Sequence, residues 1–380
     1  MRIPLSAPDI TEVEIEAVTA VLRTPYLSRG KYLAEFERAL ATRVSAAYGV
    51  AVSSGTAGLH LAVRACGIGA GDEVITASFG FVAAANAILY EGAIPVFVDV
   101  DPVTLNIDPD KIEAAVTPRT RAILMVHIFG RPAPMDRILA LARRHGLVVI
   151  EDACEALGAE QDGRSAGTFG ACGVFGFYPN KQITTGEGGM IVTDDPTIAA
   201  LCRSMRNHGR DEDTDPMQHD RLGYNYRLSE LACALGVAQL GRLDAILEQR
   251  RAVAEKYDRR LAGHPDVTVP LMNAPQGGTS WFVYVVRLTP RFARGDRDAI
   301  AADMQRCGIG CGRYFAPLHL HPHLTRACGH TRGDFPIAES ASDRTLALPF
   351  WGRITDREID EVCETLVRLV AMRREHADIS

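Results

Sequence analysis

The sequence predicts an α/β protein: a doubly wound, mostly parallel sheet in the first two-thirds of the chain, followed by a smaller C-terminal α+β domain. Three observations predict it. Short apolar runs recur up to about residue 194, helical patterns separate them, and the alternation stops near residue 240, where a long polar helical pattern begins. Strand–helix alternation places helices on both faces of a parallel sheet, and strands covered on both faces read as unbroken apolar runs. The division is expected between residues 1–242 and 243–380, and a chain of 380 residues is long enough for about two domains.

The strands are read, in order, at YGVAVS (48–53), DEVITA (72–77), IPVFVDV (94–100), RAILMVH (121–127), GLVVIED (146–152) and GMIVTD (189–194). Between the first two, Leu59, Ala62, Val63 and Cys66 follow the i, i+3, i+4, i+7 spacing of a helix face. MDRILALARRHG (135–146) closes on basic residues and Gly146, a normal helix exit. RLDAILEQRRAVAEKYDRRLAG (242–263) reads as a helical connector. Beyond it come an isolated strand, SWFVYVVRL (280–288), and helices near 297–307 and 355–371, the last with Thr355 and Glu358 spaced as a capping box.

Composition excludes several function classes. The net charge is −6 and no basic stripe is present, so no nucleic-acid partner is expected. No window approaches the roughly 20 consecutive apolar residues of a membrane span. The opening MRIPLSAPDITEVE turns acidic at once and lacks the apolar core of a secretory signal, which makes the cytoplasm the expected location. Nine scattered cysteines, an odd number, argue against a disulfide framework. The one close pair, Cys307 and Cys311, has no second pair to complete a zinc site, and no metal is expected.

Three stretches carry chemistry. In AVSSGTAGLHLAV (51–63) a strand ends in Ser-Ser-Gly-Thr and a helix begins. Glycine lets a ligand approach the backbone, and the free N–H groups and dipole of the first helical turn make an anion cup with the hydroxyls of Ser54 and Thr56. Taken alone, a plain N-cap explains the same residues. In LVVIEDACEALGA (147–159), Glu151 and Asp152 close an apolar strand, at the end where open α/β sheets bind ligands. A buried carboxylate there needs a positive partner, which a protonated pyridine nitrogen, a metal or an arginine would supply; a helix N-cap aspartate is the plain alternative. In FYPNKQITTGEGGMIVTDD (177–195), Pro179 and Asn180 interrupt regular structure just before Lys181. A partly desolvated lysine held on such a loop becomes nucleophilic, although most lysines are simply surface charges. Phosphate cup, carboxylate and lysine, in that order on a doubly wound chain, together describe a site for pyridoxal 5′-phosphate.

These stretches resemble the DegT–DnrJ–StrS family of sugar aminotransferases, which have the aspartate-aminotransferase-type (type I) fold of pyridoxal-phosphate enzymes. The resemblance also takes in SFGFVAAANAILYEGAIPVFVDVDP (78–102), RNHGR (206–210), GYNYRLSELACALGVAQL (223–240), RYFAPLHLHP (313–322) and LALPFWGRITDREID (346–360). It implies Lys181 as the catalytic Schiff-base lysine and Asp152 as partner of the pyridinium nitrogen. Gly55, Thr56 and Ala57 hold the phosphate, and Phe81, with Phe79 as the alternative, stacks on the ring. Asn225 reaches the cofactor of a neighbouring subunit, which implies a homodimer with shared active sites. Tyr314 and His319 fall where the family contacts the sugar nucleotide, and Arg227, Arg206, Arg210 or Arg313 are candidate partners for its phosphates.

Two positions depart from the common pattern. Glu155 stands where many members carry His or Gln beside the ring hydroxyl, and Gly176 where many carry a phosphate-binding serine; Tyr178 or a water is the candidate replacement for that hydroxyl. A family branch that dehydrates sugars has histidine in place of the lysine, so Lys181 argues for amination. The implied reaction moves an amino group from an amino acid, L-glutamate first, to a nucleotide-linked keto-deoxysugar, with loop 210–222 as a candidate for controlling stereochemistry. A keto-cyclitol acceptor and a cofactor-binding regulator are the alternatives. A Rossmann dehydrogenase is excluded because SSGTAG is not G-x-G-x-x-G.

Overall fold

The computed structural model describes residues 1–211, 215, 217–272 and 277–377. Its strands are β1 (Tyr48–Val52), β2 (Glu73–Ala77), β3 (Ile94–Val98), β4 (Thr120–Val126), β5 (Val148–Asp152), β6 (Glu160–Gln161), β7 (Arg164–Ser165), β8 (Cys172–Gly176), β9 (Gly189–Thr193), β10 (Val267–Thr268), β11 (Tyr284–Leu288) and β12 (Thr345–Leu348). Seven form the main sheet in the order β1-β9-β8-β5-β4-β2-β3. Every neighbouring pair is parallel except β1/β9 and β8/β9, so β9 alone runs against the rest. The parallel strands therefore deliver their carboxyl ends to one edge of the sheet.

The expected strands are present, and one more, β8, lies between β5 and β9. Its sequence, CGVFG, hides it, because glycine is poor in strands. The glycines are there for close approach: a Cβ at Gly173 would stand 2.0 Å from the Gly167 carbonyl oxygen. The helix Gly55–Ala65 is buried along its whole middle, from Ala57 to Val63, because it is pressed onto the sheet. Gly58 permits this, since a Cβ there would lie 2.6 Å from Val174 Cγ1.

The strand expected to be isolated is instead the centre of a three-stranded antiparallel sheet, β10-β11-β12. Its partners, of two and four residues, are too short for any periodicity to show. Tyr257 and Leu261 pack here with Tyr284, Ile300, Leu348 and Leu366 to form a second core. The expected helix is present at Leu243–Leu261, with Ile246 packed beside β8 and β9 residues and Tyr257 in the second core. The chain passes between cores more than once: Ile3 sits in the second, while Leu318, Leu324, Phe335 and Ala338 sit in the first. The expected cap of the last helix, Asp356–Ala377, is formed: the Thr355 amide and hydroxyl donate to Glu358 Oε2 at 2.8 and 2.7 Å. No described helix is long and apolar enough to cross a membrane.

Candidate active site

Three chain segments leave the carboxyl ends of β1, β5 and β8 and close around a cavity of about 540 Å3, within the ~300–1,000 Å3 usual for small-molecule sites. After β1, Ser54 caps the helix Gly55–Ala65, its hydroxyl accepting from the Ala57 amide at 3.0 Å. Gly55 and Thr56 face the cavity at that positive helix end. Asp152 is the last residue of β5, and the strand's alternation sends its neighbour Glu151 to the opposite face. There Glu151 is held by His127 Nε2 at 2.8 Å and by the amides of Gly167 and Gly170 at 2.7 and 2.6 Å. The Ala133 amide donates to His127 Nδ1 at 3.0 Å, so Nε2 carries the ring proton toward Glu151. Glu151 is thereby satisfied within the protein, and Asp152 is the carboxylate left for a ligand.

Asp152 is buried and receives the Cys154 amide at 3.0 Å. Burial pushes its pKa up, against that bond and the nearby Lys181 charge. Glu155 is also buried. The Phe129 amide donates to its Oε2 at 2.8 Å, and its Oε1 lies 3.6 Å from Lys181 Nζ. Burial raises the Glu155 pKa too, with Lys181 and the Phe129 amide pulling the other way. Glu155 thus points inward and finds a cation.

Lys181 follows β8 on a braced loop. Its amide donates to the Tyr178 carbonyl at 2.9 Å, and its own carbonyl accepts from Arg250 Nη2 at 2.8 Å. The next residue, Gln182, donates to the Glu155 carbonyl at 2.6 Å and to Ser280 Oγ at 2.9 Å. The threonines of TTGEGG fold the loop back: Thr184 Oγ1 and the Thr185 amide both donate to the Phe177 carbonyl at 3.0 Å. The amine that results lies 3.9 Å from the centroid of the Phe282 ring, in cation–π contact. The chain has four lysines, at 31, 111, 181 and 256, and only Lys181 lines this cavity.

Of the residues expected at the site, Gly55, Thr56, Phe81, Asp152, Glu155, Gly176, Lys181 and Tyr314 all line the cavity. Phe81 is 56% exposed at its mouth, whereas Phe79 is 1% exposed and packed on Phe129 and Phe315, which separates the two alternatives. Ala57 lies behind the lining and gives its amide to Ser54. Asn225 is exposed, bridged to Asn207, and Arg227 donates to Asn207 Oδ1 at 3.1 Å; neither lines the cavity within one chain. His319 is turned away from it, fully buried, with Nε2 3.0 Å from Glu339 Oε1 and its ring on Phe335. Arg206 is consumed by Glu37 and the Ala51 carbonyl, and Arg313 sits 3.4 Å from Asp298 on the surface. Part of loop 210–222, residues 212–214 and 216, lies outside the described residues.

Sequence reasoning missed Phe282 and Phe315, which wall the cavity with Tyr314: the Tyr314 and Phe315 rings stack at 5.0 Å, and Tyr314 and Phe282 at 6.2 Å. Nothing local marks either phenylalanine as more than core. Cys154, two residues after Asp152, also lines the cavity.

The arrangement fits pyridoxal 5′-phosphate. A helix N-terminus with Thr56 suits the phosphate, and the Lys181 amine lines the same cavity. The buried Asp152 carboxylate, pushed toward its neutral form by burial, is stabilised by a ligand cation such as a protonated pyridine nitrogen. Among the described residues, no cluster of His, Cys, Asp or Glu could hold a metal.

Comparison with known proteins places nearly the whole chain among aminotransferases. The family model for the DegT/DnrJ/EryC1/StrS aminotransferase family matches residues 8–367. GDP-perosamine synthase of Caulobacter vibrioides is 40% identical over 367 residues, 96% of this chain and 97% of that protein. The crystal structure of S. venezuelae DesV superposes with a TM-score of 0.89 at 34% identity, covering 97% of this chain and 98% of DesV. Spr1654 from Streptococcus pneumoniae, in its PLP-form, gives 0.92 at 26% identity, covering 98% and 99%.

Proposed function

This chain belongs to the DegT/DnrJ/EryC1/StrS aminotransferase family, and we propose that, as a pyridoxal 5′-phosphate-dependent enzyme, it transfers an amino group from L-glutamate to a nucleotide-linked keto-deoxysugar. The observation that carries this reading is the convergence of the Lys181 amine, the Asp152 carboxylate and the positive end of the helix Gly55–Ala65 on one cavity. When bound, the cofactor supplies an aldehyde for covalent attachment and a ring that accepts electron density once its nitrogen is protonated.

The protein's part follows from its residues. Lys181 Nζ is the attachment point; once released, it takes the proton from the donor's α-carbon and later delivers one to the sugar carbon. Asp152 keeps a proton on the ring nitrogen facing it, and burial makes the charged carboxylate favour that partner. Thr56 and the first amides of the helix hold the phosphate, with the Gly176 amide beside them. Phe81 flanks the cofactor ring at the mouth. Tyr314 and Phe315 offer a flat aromatic wall for the acceptor. Asn225, exposed in one chain, and Arg227, half-buried beside Asn207, serve the cavity of a second copy in a homodimer. A keto-sugar acceptor accords with GDP-perosamine synthase among the relatives.

Two measurements test the reading. Borohydride reduction of the cofactor-loaded protein followed by peptide mapping should place the label on Lys181; a label on Lys31, Lys111 or Lys256, or none, overturns it. Absorbance of the bound cofactor should shift on adding L-glutamate and return on adding a nucleotide-linked 4-keto-6-deoxyhexose. A return only with keto-cyclitols would reassign the acceptor, and no shift with any amino donor would point to a cofactor-binding regulator.

A further inference from the structure

The amino transfer set out above uses Lys181 and Asp152 but not Glu155, a buried carboxylate 3.6 Å from the Lys181 amine. We propose that Glu155 is the positioning residue for Lys181 in its free form: its Oε1 receives the ε-ammonium whenever that amine is not bonded to the cofactor, and holds it over the Phe282 ring and away from Asp152. This rests on the reading that Lys181 carries the cofactor.

Three features of the geometry support it. First, the carboxylate is fixed before the amine arrives. The Phe129 amide holds Oε2 at 2.8 Å, and the Glu155 carbonyl accepts from the side chain of Gln182, the residue next to Lys181, at 2.6 Å. The two partners are thus tied together through side chain and backbone. Second, the ammonium is met on a second side by the Phe282 ring, with 3.9 Å from Nζ to the centroid. A carboxylate and an aromatic face together define a resting place.

Third, two buried carboxylates compete for one cation. Besides Lys181, the titratable side chains lining the cavity are Asp152, Cys154, Glu155, Tyr178, Glu187 and Tyr314. Glu187 is exposed at the rim. Arg250 lies behind the loop, spent on the carbonyls of Lys181 and Phe282. Without Glu155 a released Lys181 would have Asp152 as its only buried counter-ion, and a lysine paired there would displace the ring nitrogen from its partner. Glu155 separates the roles.

The test uses the full chain loaded with pyridoxamine 5′-phosphate, a form in which no lysine is bonded to the cofactor. Lys181 is labelled with an amine-selective acylating reagent at neutral pH, and the rate is read by peptide mapping. Lys31, Lys111 and Lys256 serve as internal standards. Glu155→Gln keeps an oxygen for the Phe129 amide but removes the charge, and should raise the Lys181 labelling rate about tenfold, because an ammonium loses an ion-pair partner and is more often the reactive free amine. Glu155→Asp, which keeps the charge but withdraws it by one methylene, should give a smaller rise; it carries the test if the glutamine variant fails to fold. A Lys181 rate unchanged relative to the three standards in both variants overturns the proposal. Labelling is read whether or not the protein transaminates, so this failure is distinct from borohydride mapping to another lysine.

Discussion

Gly176 stands where the resemblance leads one to expect a phosphate-binding serine, and the structure supplies a steric reason. A Cβ at Gly176 would lie 3.2 Å from both Cβ and Sγ of Cys154, and a Cβ at Gly55 would lie 2.7 Å from the same sulfur. The Cys154 thiol fills the gap between the chain at Gly55 and at Gly176, the two places proposed to hold the phosphate. Gly176→Ser should therefore overpack the site, at about 1–3 kcal/mol, and at ~1.4 kcal/mol per decade this predicts a roughly fivefold to hundredfold loss of cofactor affinity. Cys154→Ala keeps the backbone amide that Asp152 uses and clears the space. The double variant Cys154→Ala/Gly176→Ser should then bind pyridoxal 5′-phosphate at least as well as the parent, with the serine hydroxyl free to contact the phosphate. The assay is the cofactor dissociation constant of each stripped protein, by fluorescence titration, arranged as a double-mutant cycle. Single effects that add to within about 0.5 kcal/mol would show the two positions to be independent and refute the argument.

Further outcomes follow from the same residues. Lys181→Ala removes the only lysine of the cavity, and the half-reaction with L-glutamate, followed by absorbance, should slow by about a thousandfold or more while the protein still folds. Asp152→Asn keeps the shape but not the charge; turnover should fall by about a hundredfold, and a variant within a few-fold of the parent would remove Asp152 from its role. At the N-terminal helix, burial opposes ionisation of Glu14, but hydrogen bonds from Thr11, Arg242 and Gln239 outweigh it and bring its carboxyl down to about 2. A depressed carboxyl stabilises the fold above its ordinary value of ~4.3, and that contribution is lost as pH falls through the depressed value. Glu14→Gln should therefore flatten the acid side of a urea-midpoint-against-pH curve, and an unaltered slope would contradict the network.

Much of the site was legible because its parts are contiguous. The cup at 53–57, Asp152 at a strand end and Lys181 before a glycine-rich turn each announce themselves by residue type and position. What was not legible lies across the fold. Phe282 reaches the amine from the segment just before β11, where it clusters with Val283, Val285 and Ala347, and no feature of SWFVYVVRL distinguishes it from a packing residue. His319 has a contact-site residue type, but whether it faces a ligand is decided by Glu339, twenty residues further on. Strand β8 escaped notice because the glycines that let it pack are the residues that disguise it. Asn225 and Arg227 pair with Asn207 and do not line the cavity of their own chain, so the contacts of one chain carry no sign of the role the resemblance gives them.

The crossings between the two cores bear on how such a protein can be rearranged. A gene cut at the codon for residue 242 would leave the first fragment without Leu318, Leu324 and Phe335, and the second without Ile3, each a piece of the other's interior. The C-terminal part is therefore not a cassette that evolution or an engineer can swap at one splice point. A chimera with a new acceptor preference has to carry four junctions, keeping the N-terminal strap with the smaller part and the 318–341 segment with the larger.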